Sequence, residues 1–332
     1  MTENLAIQCK GISKIYGSLR VIDNLDLVIK YESIFGLLGP NGAGKTSLIK
    51  ILTGLTKPTK GKAYVAGHDA DTQSLKVREN IGWISSEVIL DESLTVMENI
   101  HIQARLHNIG KGWKEKATNL LEYLELKDVD QKRVGKLSTG MKKKLEIIMA
   151  LLHDPKILFM DEPTIGLDVS TRKLLWRLIK NINSKYGVTI FLTTHYIEEA
   201  DALCDNIAII NNGKIIAKGS PTQLKSLSMG DIIEISFFNT FEFDHLLKIE
   251  GILEISQIGL PKDAESIKPD IDKSMKLRFR VNSAETILSE LISKITVNNS
   301  NNIESIKIEK PNLESIFLQL TGKRFEEIET VR

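Results

Sequence analysis

From residue 5 to about residue 219, short β-branched and apolar runs alternate with stretches in which apolar side chains recur at helical spacing. That alternation predicts strands joined by crossover helices in a largely parallel sheet. Residues 33–38, 156–160 and 188–192 are apolar almost throughout, as strands buried on both faces must be. Each leads into a loop at its carboxyl end, where open α/β sheets place their chemistry. Residues 5–12, 21–29 and 62–65 carry more polar side chains close to turn-forming Gly, Asn and Asp, and predict an antiparallel strand layer. Between residues 94 and 152 the periodicity is almost wholly helical, which marks a helical subdomain over about residues 90–152.

The pattern changes after Gly219-Ser220-Pro221. In residues 231–238, Ile233, Ile235 and Phe237 alternate with Glu234 and Ser236. In residues 275–281, Leu277, Phe279 and Val281 alternate with Lys276, Arg278 and Arg280. Both are half-buried strands. A helix over 284–295, an Asn-rich turn at 298–302, a strand at 303–308 and a helix over 312–320 complete the prediction, with 260–274 as a loop. The chain is therefore expected to divide into a large domain over 1–220 and a small α+β accessory domain over 221–332. The second holds no phosphate loop or metal cluster in its sequence, so regulation or dimer contact is its expected role.

Composition narrows the classes. At 332 residues the chain exceeds what one hydrophobic core usually organises, in keeping with two domains. With 42% hydrophobic and 26% charged residues it is neither fibrous nor disordered throughout. The balance of 44 Lys and Arg against 43 Asp and Glu gives a formal charge of +1, so no global field draws it to nucleic acid or an anionic bilayer, and no nucleic-acid partner is expected. Cys9 and Cys204 lack paired spacing and neighbouring His residues, which argues against a disulfide framework or zinc site and for a reducing cytosol. The first residues show no basic or apolar leader, and no uncharged apolar run approaches the roughly 18 residues of a bilayer span. The expectation is a chain that is not exported and does not cross a membrane alone.

The clearest chemistry is Gly39-Pro40-Asn41-Gly42-Ala43-Gly44-Lys45-Thr46, which satisfies G-x-x-x-x-G-K-[ST], follows an apolar strand and precedes the helical pattern of residues 47–52, starting at Ser47. Glycines let backbone amides close around phosphate oxygens, and the helix N-terminus adds its positive end. Lys45 is placed to bridge β- and γ-phosphates, and the Thr46 hydroxyl to bind Mg2+. Taken alone, the match could be a glycine turn; the flanking strand and helix favour a nucleotide site. Far downstream, the strand over 156–160 ends in Asp161-Glu162-Pro163. Asp161 there would anchor magnesium and Glu162 would polarise a water for in-line attack on the γ-phosphate. An acidic pair after a strand is more often a solvated loop; following a phosphate loop, it reads as catalytic.

At this point the chain resembles the ATP-binding subunits of the ABC superfamily over roughly residues 5–219. Leu137-Ser138-Thr139-Gly140-Met141 is similar to the family signature LSGGQ, with Thr and Met substituted. On its own, Ser138 would be the N-cap of a helix burying Leu145, Ile148 and Leu152. The resemblance adds that Ser138, Thr139 and Gly140 serve the γ-phosphate bound by a second subunit. Gly166-Leu167-Asp168 resembles the D-loop, which brings Asp168 to that interface. His195 matches the switch histidine that contacts the γ-phosphate, and Tyr16 the aromatic that stacks on adenine, though each would ordinarily be a structural residue.

One position departs from the family, which has a Gln that touches magnesium and links to the transmembrane partner two residues after the strand at 81–84. Ser86 stands here, followed by Glu87. The tail 311–322 and the helix start Lys142-Lys143-Lys144 look like the drug-exporter group typified by daunorubicin-resistance ATPases; without the resemblance, the three lysines read as a solvated face or a mild phosphate patch. The resemblance implies a P-loop ATPase core with a mainly parallel sheet, an antiparallel β layer and a helical subdomain, using ATP and Mg2+. It also implies export through separate transmembrane permease subunits, a head-to-tail homodimer or a paired homologous ATPase on ATP binding, and a cytoplasmic protein held at the inner face of the membrane by its permease. Two other readings are a soluble ABC-type ATPase acting on ribosomes or DNA, and a nucleotide-binding regulator without turnover. The first usually carries two ATPase units, a coiled-coil insertion or zinc cysteines, none of which the sequence shows; Glu162 and His195 argue against the second.

Overall fold

The computed structural model describes residues 4–321 except 88, 228–229, 239–242, 244–245, 248, 259–274, 299–302 and 311. Two compact units divide between Pro221 and Thr222. The first runs β1 (Leu5–Tyr16), β2 (Leu19–Lys30), β3 (Ile34–Leu38), α1 (Lys45–Leu52), β4 (Lys60–Val65), β5 (His68–Asp69), α2 (Ser74–Glu79) and β6 (Ile81–Ile84). It continues through α3 (Val96–Leu106), α4 (Trp113–Tyr123), α5 (Thr139–Leu151), β7 (Ile157–Asp161), α6 (Val169–Tyr186), β8 (Thr189–Thr194), α7 (Ile197–Leu203), β9 (Asn206–Asn211) and β10 (Lys214–Gly219).

The polar-mixed strands form an antiparallel sheet in the order β2-β1-β4-β5, and the apolar strands a second sheet in the order β10-β9-β3-β8-β7-β6. In the second, β9, β3, β8, β7 and β6 are parallel, and only β10 returns antiparallel along β9. Its centre is dry: all five residues of β3, all five of β7 and all six of β8 are buried, which is why these segments carry no polar alternation. Phe191 on β8 packs against Phe35 of β3 and Phe159 of β7, with ring centroids 5.6 and 5.4 Å apart. One apolar cluster joins Ile7 and Ile12 of β1 and Ile22, Leu25 and Leu27 of β2 to Leu48 and Ile51 of α1 and Phe159 of β7, so the antiparallel layer buries its inner face on the helix and the main sheet.

Helices α3, α4 and α5, with two single 3-10 turns at Lys127–Val129 and Val134–Lys136, fill the region between β6 and β7. α3 begins with a reciprocal capping box, the Thr95 hydroxyl accepting from the Glu98 amide while Glu98 accepts from the Thr95 amide. The three-lysine helix start is not a solvated face. Lys142 pairs with Glu92 at 2.5 Å and Lys144 with Glu125 at 3.1 Å, while Lys143 is buried. A lone-sequence reading places all three on the surface because Glu92, the Ser85 carbonyl and Glu125, which they meet, lie 19 to 58 residues away along the chain.

α8 (Pro221–Lys225) leads into the second unit, made of β11 (Asp231–Phe237), β12 (Ile252–Ile258), β13 (Met275–Val281), α9 (Ala284–Asn298), β14 (Ile303–Glu309) and α10 (Leu313–Thr321). Its strands form an antiparallel sheet in the order β12-β13-β11-β14. Ile233, Ile235, Phe237, Leu277, Phe279 and Val281 share a core with Ile287, Leu291 and Ile295 of α9. The hydrophobic pattern does not announce β12, an edge strand paired only with β13 and so under weaker pressure to alternate. The expected loop at 260–274 lies outside the described residues, as does the Asn-rich turn beyond Asn298.

Every nucleotide motif of the sequence falls in the first unit, with its own sheets and core. Truncation after Ser220 is therefore expected to leave a chain that folds by circular dichroism and binds ATP with the affinity of the full chain. A folded fragment that fails to bind would show that the second unit contributes to the site.

Candidate nucleotide site

The order of the parallel strands builds the site. β3, β8, β7 and β6 are consecutive neighbours, so the segments leaving their carboxyl ends, beginning at Gly39, His195, Glu162 and Ser85, emerge side by side. Glycine is required at two points of the first. A Cβ on Gly39 would lie 2.4 Å from the Ile210 carbonyl oxygen, and Gly44, at φ +107°, would place one 2.8 Å from that of Val21. With that bulk absent, the loop turns directly into α1, whose free amides face the loop it closes. A cavity of about 130 Å³ results, lined by Val21, Asn41, Gly42, Gly44, Lys45, Thr46, Ser47 and Glu162. Ala43 is buried beneath it and Pro40 is buried beside Gly39.

Lys45 is 4% exposed, and its ammonium donates to the Gly39 and Pro40 carbonyls at 2.7 and 3.2 Å. It also pairs with Glu162 Oε1 at 3.1 Å, while Glu162 Oε2 meets His195 Nδ1 at 2.9 Å. The one carboxylate therefore bridges a cation from β3's loop and an imidazole from the end of β8. Glu162 sits in the left-handed backbone region at φ +50°, an unfavourable place for a non-glycine residue. Its amide is held there by the Thr193 carbonyl and hydroxyl, each at 3.1 Å. Burial pushes the Glu162 carboxyl up, but the His195 hydrogen bond and the Lys45 charge prevail and hold it below the usual carboxylate range. Because its folded value is depressed, it stabilises the fold above the ordinary Glu value of about 4.3, and that stabilisation disappears as pH falls through the depressed one.

Asp161 is 1% exposed and accepts a 2.5 Å hydrogen bond from the Thr193 hydroxyl. No motif draws attention to Thr193; the register pairing Asp161 with Thr193 across β7 and β8 puts it there. Thr46 is exposed at the start of α1. A hydroxyl and a carboxylate beside a phosphate cradle are the hard oxygen donors that Mg2+ takes together with substrate phosphates, so the residues fit that ion. Ser86 is exposed, in a turn where the Ser85 hydroxyl donates to the Glu87 carbonyl at 2.5 Å. Tyr16 closes β1 with 44% of its surface exposed, and the Lys14 ammonium lies 4.8 Å from its ring centre.

The signature segment and the D-loop meet elsewhere. Ser138 caps α5, accepting from the Met141 amide at 3.3 Å, and Asp168 caps α6, accepting from the Ser170 and Thr171 amides at 3.0 Å each. Hydrogen bonds from the Ser170 and Thr171 side chains hold the Asp168 carboxyl well below the usual range. The two helix starts touch, since a Cβ on Gly140 would lie 2.9 Å from Thr171 Cγ2. Ser138, Thr139, Gly140 and Asp168 do not line the cavity around Lys45. Ile165, Val169 and Leu174, flanking Asp168 in the chain, are 42%, 65% and 59% exposed.

Residues 22–165 match the family model described as ABC transporter. The daunorubicin resistance ATP-binding protein DrrA2 of Streptomyces coeruleorubidus is 34% identical, over 98% of this chain and 98% of its own length. The linearmycin resistance ATP-binding protein LnrL of Bacillus subtilis is 31% identical over 96% and 98%, and a Nod factor export ATP-binding protein I of Rhizobium is 33% identical over 97% and 99%. Among solved structures, a dimeric ATP-binding cassette in a post-hydrolysis state with ADP and Pi superposes with a TM-score of 0.58 and 26% identity, over 64% of this chain and 98% of that one.

Proposed function

The chain belongs to the ABC transporter family of ATP-binding subunits, and from that membership we propose how its residues bind and hydrolyse ATP to drive export through a separate membrane permease. It is an ATPase of the ABC type. The observation that carries the residue assignment is the Glu162 carboxylate bridging Lys45 and His195 at the mouth of the phosphate loop.

In this reading the amides of residues 39–46 and the N-terminus of α1, with Ser47, cradle the phosphates, and Tyr16 stacks on the adenine. Lys45 exchanges its contact with Glu162 for the β- and γ-phosphate oxygens. Glu162 keeps the His195 hydrogen bond but loses the Lys45 charge that also depresses it, becomes more basic and orients the attacking water. His195 keeps Nδ1 on Glu162 and has Nε2 left for the γ-phosphate. Thr46 and Asp161 would hold Mg2+, with Thr193 fixing the Asp161 carboxylate. When bound, the ion supplies neutralisation of phosphate charge.

The start of α5, beside Asp168 and an apolar rim of Ile165, Val169 and Leu174, has the character of a surface for a second copy. A head-to-tail pair would set Ser138, Thr139 and Gly140 of one copy over the nucleotide of the other, each ATP then acting as part of the interface. For the permease, the supporting feature is a cavity of about 300 Å³ lined by Trp83, Ile89, Leu90 and Met149 among others, beside the exposed Ile102 and Leu106 of α3. Among the described residues no helix is long and apolar enough to cross a membrane, so the membrane path is assigned to other chains and this one to the inner membrane face, held through them. Export rather than uptake rests on the names of the resistance and Nod factor relatives. Affinity capture of the tagged chain from detergent-solubilised membranes tests the assembly: recovery of a multi-span protein supports it, and recovery of ribosomal proteins or DNA in its place overturns it.

The short Ser86 hydroxyl does not reach as far as a Gln carbonyl, and Mg2+ accepts oxygens only at about 2.0 to 2.1 Å. Ser86→Gln is expected to lower the magnesium concentration for half-maximal ATPase activity, and Glu87→Ala to raise it if Glu87 stands in as the ligand. Identical magnesium titrations for wild type and both variants would remove this turn from the metal site.

A further inference from the structure

β6 and α5 lie so close that a Cβ on Gly82 would come 2.4 Å from the Ala150 carbonyl oxygen. Where β6 gives way to the turn that carries Ser86, an ion pair within α5 faces that turn. Lys143 and Glu146, one turn apart on α5, are only 4% and 8% exposed and pair at 2.7 Å. Each also meets the turn's backbone. The Lys143 ammonium donates to the Ser85 carbonyl at 3.5 Å, and the Glu146 carboxylate accepts from the Ile89 amide at 3.3 Å.

A buried ion pair adds little stability by itself, because desolvating two charges offsets their attraction, and apolar side chains of similar volume often serve as well. What apolar side chains would not do is satisfy the two backbone groups that this pair engages on either side of Ser86 and Glu87. We propose that Lys143 and Glu146 are positioning residues that clasp the turn to α5, so that the helix begun by Ser138 and the turn carrying Ser86 and Glu87 move as one body. The consequence for catalysis rests on the ATPase reading above; the clasp itself does not. A shift of α5 when its N-terminus meets the partner's nucleotide would then carry the turn, and with it Ile89 on the wall of the apolar cavity.

The test is residue-resolved hydrogen exchange on the full chain, together with steady-state ATPase kinetics. Lys143→Met/Glu146→Leu keeps the volume filled and removes the charges, so the protein should unfold at a temperature close to that of wild type. The Ile89 amide is expected to exchange roughly tenfold faster or more, with the α1 amides unchanged. KM for ATP should stay within about twofold while kcat falls roughly tenfold, as for a positioning defect. Lys143→Arg, which keeps the charge and the donors, should restore both readouts. Unchanged exchange at Ile89 would overturn the clasp, as would a Lys143→Arg variant as impaired as the apolar pair. Loss of ATP binding in wild type would instead defeat the ATPase reading, leaving the exchange result to stand on its own.

Discussion

Lys45→Ala will weaken ATP binding by roughly tenfold or more, about 1.4 kcal/mol, and phosphate release will fall with it. Among the described residues the ammonium is the one buried cation in contact with both the loop carbonyls of Gly39 and Pro40 and the Glu162 carboxylate, so its charge at the phosphates is not replaced when it is removed. The substitution also takes from Glu162 one of its two partners, so that its carboxyl, still held down by His195, rises relative to wild type. The fold should survive, because α1 keeps Leu48, Ile49, Ile51 and Leu52 in the core. Equilibrium binding of a fluorescent ATP analogue and a phosphate-release assay give the two readouts, and wild-type values in both would remove the phosphate-loop assignment.

Glu162→Gln will reduce turnover by about 10² to 10⁴ while leaving ATP affinity near that of wild type, and ATP-bound dimers will accumulate. Gln preserves the shape and one hydrogen bond to His195, and it brings no new backbone cost at φ +50°, where any residue with a Cβ meets the same strain. What it lacks is a site that accepts a proton at neutral pH. If closing the dimer needs ATP and reopening it needs hydrolysis, the variant stays closed. Size-exclusion chromatography with Mg-ATP checks this directly: a monomer that continues to hydrolyse ATP would mean that another group is the base.

Most of the fold was legible because its signals are local. The apolar runs of β3, β7 and β8 need no partner to be recognised as buried strands, and the glycine pattern of residues 39–46 states its backbone requirement within eight positions. Ser138 is an N-cap in the structure for the reason the sequence suggested, a hydroxyl before an amphipathic helix. β12 and the burial of Lys143 were not legible, since an edge strand needs little patterning and the groups that Lys143 meets on the turn after β6 come from far along the chain.

By itself, then, the amino-acid order determined most of the elements, the phosphate loop and which carboxylates end a buried strand, because each depends on neighbours within a few residues. Only the tertiary structure decided who meets whom. The order β3-β8-β7 brings the Glu162 carboxylate between Lys45 and His195, and the β7–β8 register gives Asp161 its Thr193. The approach of the starts of α5 and α6 sets Gly140 against Thr171, and Ser138 and Asp168 stay away from the cavity of their own chain. Strand order and helix packing are set by burying apolar faces across the whole unit, and no short stretch of sequence contains that information.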